Sequence, residues 1–181
     1  MKQFAFLMMT SSLAVCPAMA QSGRAANPIV SGSQSVYVLF RANVLKAAEK
    51  MPEENYAFQP TPEVRTFGRI VGHVANSQYL FCSTAAGEKN PAPADIEKTK
   101  TAKEDLVAAL KDSFAYCDKI YAGMTDSSGA ESVKFFGRDV SRIVVLNFNT
   151  AHLNEHYGNI VTYMRLKGLV PPSSEPAPAT K

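Results

Sequence analysis

Apolar positions along this chain recur at helical, not strand, spacing. In "SVYVLFRANVLKAAEKM", residues 35–51, Val38, Arg41, Leu45 and Ala48 follow one another at three- and four-residue intervals, with Phe40 and Val44 beside them. That spacing predicts an amphipathic helix, which Pro52 ends. Pro60 and Pro62 punctuate the next segment, where Thr61 or Thr66 is placed to cap a second helix reaching about Ala85, with Gly87 as its stop. Residues 87–98, "GEKNPAPADIEK", form a polar connection, longer than the about two to eight residues that usually join antiparallel helices. Thr101 and Glu104 stand in capping-box spacing ahead of a stripe of Leu106, Leu110, Phe114, Cys117 and Tyr121. A last helix runs from about Ser141 to Lys167, before Gly168 and Pro171-Pro172. No strand pattern or internal repeat stands out. Four long amphipathic helices are best satisfied by an all-α four-helix bundle over residues 35–172.

Both ends have a different character. "MKQFAFLMMTSSLAVCPAMAQSG" carries Lys2, an apolar run to Val15 and the small-residue pattern Ala18-Met19-Ala20. It reads as a signal peptide over residues 1–20, cleaved after Ala20. The expected location is periplasmic or secreted. Leu13-Ala14-Val15-Cys16 loosely imitates a lipid-attachment box, but Val15 is bulky where that box needs a small residue, so lipidation of Cys16 is the minor alternative. Residues 21–34 read as a flexible leader, and the low-complexity tail 173–181 as disordered.

Composition narrows the partners. The chain has 181 residues, 46% of them hydrophobic, and a net charge of +3 with both signs interspersed. There is no basic stripe for a nucleic-acid backbone, and after the leader no uninterrupted apolar run long enough for a membrane span. A small-molecule partner remains, and a homodimer stays open. Two cysteines are left once the signal is removed, Cys82 and Cys117. In an exported chain an even count points to a disulfide; two buried thiols are the alternative. Both cysteines lie toward the C-terminal ends of their helices, so a bond requires those helices to run in the same direction, which the long 87–98 connection allows.

The candidate chemistry lies in the histidines. The chain has three, and His152 and His156 are four apart in the last helix, so about 40° separates them around its axis. Two imidazoles on one face can share a metal, and Asn149, Asn159 and Tyr163 make the same stripe more polar than packing requires. His73, on a second-helix face with Ile70, Ser77 and Leu80, would supply a third nitrogen if that face met the last helix, with water in the fourth position. Spacing alone leaves a packed or exposed pair equally open. Residue 153 is Leu where a zincin carries its glutamate, which disfavours that protease chemistry. Glu155 is a candidate neighbour or general base, offset by about 60° from His152.

"PEENYAFQPTPEVRTFGRIVGHVANSQYLFC" and "HLNEHYGNIVTYMRLKGLVPPSS" together resemble the DinB superfamily of metal-binding four-helix bundles, in particular its exported members. The resemblance covers roughly residues 35–174. It implies an up-down-down-up bundle with the second and third helices parallel. It also implies a metal triad of one histidine from the second helix and an HxxxH pair from the fourth, falling on His73, His152 and His156. A divalent ion is implied, zinc or nickel being typical. Family activities include thiol transfer, thiol-dependent isomerisation and proposed hydrolysis, so the expectation is a hydrolase-type or thiol-transferase-type enzyme, with a non-catalytic metal-binding or interaction module as the alternative. Export weakens the thiol branch, because small thiol cofactors are kept reduced inside cells.

Overall fold

The structure is a computed structural model that describes residues 26–92 and 94–176. The signal peptide, Cys16, the first part of the leader and residues 177–181 of the tail lie outside the described residues. Among the described residues there are six α-helices: α1 (Pro28–Lys50), α2 (Phe67–Ala86), α3 (Ile96–Thr99), α4 (Lys103–Gly123), α5 (Asp126–Gly129) and α6 (Arg142–Leu166). A hairpin of β1 (Ser132–Phe135) and β2 (Arg138–Ser141) lies between α5 and α6. Among the described residues no helix is long and apolar enough to cross a membrane.

Helix α1 begins at Pro28, seven residues before the expected Ser35. Proline is preorganised for a first helical position, and the free amides of Ile29 and Val30 donate to the Asp126 carboxylate at 3.2 and 2.9 Å. A cap supplied from so far along the chain leaves no local trace. The buried face of α1 also differs from the expected one. Val38 is exposed, whereas Tyr37, Val44, Ala47 and Ala48 are buried. Tyr37 turns inward because its ring stacks on Tyr121, centroids 4.4 Å apart, while Arg41 pairs with Asp118 at 2.8 Å.

Thr66 is the residue that caps α2, accepting from the amide of Arg69 at 3.2 Å, and Gly87 closes the helix at φ 73°. The expected capping box of α4 does not form: Ala102 holds the N-cap position without a side-chain bond. Lys103 instead donates to the carbonyls of Glu49 and Met51 at 2.9 and 2.8 Å, tying the start of α4 to the end of α1. The stripe Leu106, Leu110, Phe114, Cys117 and Tyr121 is buried throughout. The hairpin was not anticipated. Its tip, Phe136-Gly137, has positive φ at both residues, 46° and 78°, as a two-residue hairpin turn requires, but phenylalanine is a poor signal for it.

Contacts set the helix directions. Gly68 and Gly72 approach Leu106 near the starts of α2 and α4, and Cys82 meets Cys117 farther along both, with Cα atoms 5.4 Å apart and the sulfurs in bonding contact. These two helices therefore run the same way. Helix α6 runs against α2, because Tyr163 donates to the Arg65 carbonyl at one end while Asn149 donates to Gln78 at the other. The faces of α2 and α6 that carry the histidines are thereby brought together.

Candidate metal centre

His73 projects from α2 toward His152 and His156 on α6. The Nε2 atom of His152 lies 3.3 Å from that of His73 and 3.1 Å from that of His156, and one nitrogen from each ring fits within 4.8 Å of the others. Metal–nitrogen bonds of about 2.0–2.1 Å in a tetrahedral shell imply N···N edges of about 3.3 Å. The two edges that meet at His152 already sit close to that spacing. Where three neutral imidazoles converge through Nε2, at least two of those atoms are both protonated or both bare, so they cannot all be satisfied by hydrogen bonds among themselves.

The outer nitrogens explain how the rings are oriented. Nδ1–H of His73 donates to Glu97 Oε2 at 3.1 Å, which directs the Nε2 lone pair into the cluster. The Asn159 amide lies 3.4 Å from Nδ1 of His156 and can accept from it when its oxygen faces the ring. The Nδ1 of His152 is buried and has no hydrogen-bond partner among the described residues; Phe81 meets the ring edge-on at 5.2 Å. This donor set suits a divalent ion that accepts imidazole nitrogen.

Glu97 is the organiser that sequence reasoning missed. It lies in α3, within the segment read as a polar connection, and is only 12% exposed. Its Oε1 accepts from Arg65 at 3.0 Å and Arg69 at 3.2 Å. Asn76 pins α3 to α2: it donates to Asp95 at 2.7 Å and accepts from the amide of Ile96 at 2.9 Å. Ile96, buried among polar neighbours, was the one signal available. The close approach depends on Gly72, where an added Cβ would stand 2.8 Å from the Glu97 Cα. Gly72→Ala is therefore expected to push α3 away, lowering stability by about 1–3 kcal/mol and weakening metal binding through loss of the Glu97–His73 bond. Urea melts and zinc titration check both effects; a variant indistinguishable from the parent in both would show that α3 does not hold the site.

The other expected site residues divide. Asn159 and Tyr163 line a cavity of about 480 Å³ together with His156, Arg65, Arg69 and Glu97. Tyr163 also anchors the segment before α2 by donating to the Arg65 carbonyl at 2.6 Å. Glu155 is exposed and acts on His73 and His152 only through its charge. Asn149 is not at the site: it is buried against Gln78 and lies 3.7 and 3.9 Å from the Cys82 and Cys117 sulfurs.

Burial keeps the imidazoles neutral. It lowers His156 to about 3, helped by His152, His73 and Arg65, and His152 to about 4, helped by His73. His73 is lowered by burial and by Arg65, against the opposing pull of Glu97. The sign follows from linkage. Histidines in the unfolded chain titrate near about 6.5, so below that pH the unfolded state takes up protons that the folded state refuses. The metal-free protein is thus expected to hold constant stability above about pH 7 and to lose it steadily down to pH 5. Urea midpoints across this range, with the triple alanine variant as reference, measure it; equal slopes for both proteins would contradict the assignment.

Comparison with known proteins agrees with this architecture. The profile of the DinB superfamily matches residues 37–160. YjoA, an uncharacterized protein of Bacillus subtilis (strain 168), is 26% identical over 125 residues, covering 67% of this chain and 79% of its own. A crystal structure of a DinB-like protein from Bacillus cereus aligns with a TM-score of 0.69 at 20% identity, covering 78% of this chain and 95% of that one. The mycothiol-dependent maleylpyruvate isomerase aligns with a TM-score of 0.61 at 16% identity over 72% of this chain and 60% of its own. At these identities the solved structures speak for the fold. The family match spans more than half of the sequence, and the chain belongs to the DinB superfamily.

Proposed function

We propose that this chain is an exported metal-binding protein whose His73, His152 and His156 hold one divalent ion, zinc or nickel, in an enzyme that acts on a small molecule. The observation that carries the reading is the convergence of the three imidazoles, with His152 Nε2 at ligand spacing from the Nε2 of both His73 and His156. Glu97 fixes the His73 tautomer, and burial keeps the lone pairs of His152 and His156 free at neutral pH. A divalent ion held by His73, His152 and His156 would supply Lewis acidity at this point of the cavity. Arg65, Arg69 and Asn159 line the adjoining cavity, where they orient a polar ligand.

Export through the N-terminal signal places the protein in the periplasm or outside the cell, where Cys82 and Cys117 persist as a disulfide. In that compartment hydrolysis fits better than transfer to a reduced thiol cofactor, although a structural neighbour is a thiol-dependent isomerase. One observation favours the non-catalytic alternative: Glu97 is engaged by Arg65, Arg69 and His73, and Glu155 is exposed, so among the described residues no free carboxylate is grouped with the three histidines as a ready base. Assays of small esters, amides and thiol adducts decide between the two. Turnover that requires zinc and disappears in the histidine variants supports the enzyme; no turnover across the panel supports the binding module.

A further inference from the structure

The cavity beside His156 is lined by four charged side chains, Arg65, Arg69, Glu97 and Glu63. Glu97 joins it to the histidines. Its Oε2 faces Nδ1 of His73 at 3.1 Å, while its Oε1 accepts from Arg65 Nε at 3.0 Å and from Arg69 Nη2 at 3.2 Å. One carboxylate thus separates both guanidiniums from the His73 ring. Arg69 also precedes His73 by one turn of α2, a rise of about 6 Å, and His156 and Asn159 line the same cavity from α6.

Each guanidinium spends one nitrogen on Glu97 and has no other side-chain partner among the described residues. Arg65 keeps both terminal nitrogens, and Arg69 keeps Nε and Nη1, so each fork retains a pair of donors. Both side chains are about half exposed, which leaves those donors open to a ligand. Charge then decides what the ligand carries. Two guanidiniums and two carboxylates cancel, so with neutral imidazoles the lining has no net charge. A divalent ion on His73, His152 and His156 would leave two positive charges in excess, because no carboxylate is grouped with those rings. Glu63 offsets little of this, being exposed at the rim.

We propose that Arg65 and Arg69 bind the dianionic, tetrahedral head of a small phosphate monoester or phosphonate, and that the cavity becomes selective for it when the ion is in place. This rests on the metal-site reading above and deepens it by naming the ligand class. A carboxylate has two oxygens, which a single guanidinium fork occupies; a phosphoryl head has three and can accept from both. Its two charges match the excess that the ion creates, whereas a monoanion leaves half of it uncompensated. The cavity, about 480 Å³, leaves room for a small organic remainder.

Calorimetry with methylphosphonate, methanesulfonate and acetate tests it on zinc-loaded and metal-free protein, above the second ionisation of the phosphonate and with zinc content measured on the same samples. The first two probes share a shape and differ by one charge. On loaded protein methylphosphonate is expected to bind at least about tenfold more tightly than either of the others, and on metal-free protein that preference should vanish. Arg65→Gln and Arg69→Gln, compared at equal zinc content, should each weaken the phosphonate about tenfold. Arg69→Lys, which keeps the charge without the fork, should recover only part of the loss. No binding of the phosphonate, equal affinity for the three anions, a preference that survives in the arginine double variant, or one indifferent to zinc would overturn the proposal. Zinc content shows which reading has failed: full occupancy without discrimination refutes the ligand class alone, and no uptake of zinc refutes the metal site.

Discussion

Replacing His152 with alanine is expected to weaken zinc binding by more than about 100-fold, beyond the range produced by losing an outer hydrogen-bond partner, while the helical circular-dichroism signal stays intact. His152 is the central ring, within 3.3 Å of one neighbour and 3.1 Å of the other, so its removal leaves only two nitrogens, one from α2 and one from α6, without the ligand that stands between them. His73→Ala and His156→Ala should behave alike. Glu97→Gln should lie between them and the parent, about tenfold weaker, because the amide still reaches Nδ1 without the charge that strengthens the ring as a ligand. The fold should survive every change, since Tyr37, Phe114, Leu110, Leu146, Leu153 and Ile160 are buried in a core independent of the imidazoles. Full zinc occupancy in all three alanine variants would remove the site.

The second large effect belongs to Cys82 and Cys117. They are 35 residues apart in sequence, and closing a loop of that length stabilises by about 3–4 kcal/mol when the crosslink acts on the unfolded chain. That is a substantial part of the about 5–15 kcal/mol available to a domain. The paired change Cys82→Ala and Cys117→Ala should therefore move the urea midpoint strongly downward, and reduction of the parent should do the same. Alanine is the suitable replacement because both positions are fully buried, where a serine hydroxyl would need a partner. Peptide mapping of protein recovered from its native host that finds both thiols free, or a midpoint indifferent to reductant, would contradict the disulfide.

The features legible in the sequence were those generated by local periodicity. The long helices follow from apolar spacing, the end of α2 from Gly87 and the shared face of His152 and His156 from their separation of four. Features created by distant partners were not legible. The start of α1 depends on Asp126, its buried face on Tyr121, and the role of Glu97 on an α3 that stays in place only because Asn76 and Gly72 receive it. Asn149 looked like a site residue because helical phase put it one turn from His152, yet the pitch carries it down to the cysteines instead. The hairpin escaped notice because its tip is Phe-Gly and each strand has only four residues.

The central claim is that these three imidazoles share one ion, and X-ray absorption at the zinc edge of protein loaded with one equivalent tests it most directly. The account predicts three imidazole nitrogens at about 2.0–2.1 Å with a single further light atom, and loss of that imidazole scattering in His152→Ala. A spectrum dominated by oxygen in a hydrated shell, or one unchanged by the His152 substitution, would contradict it.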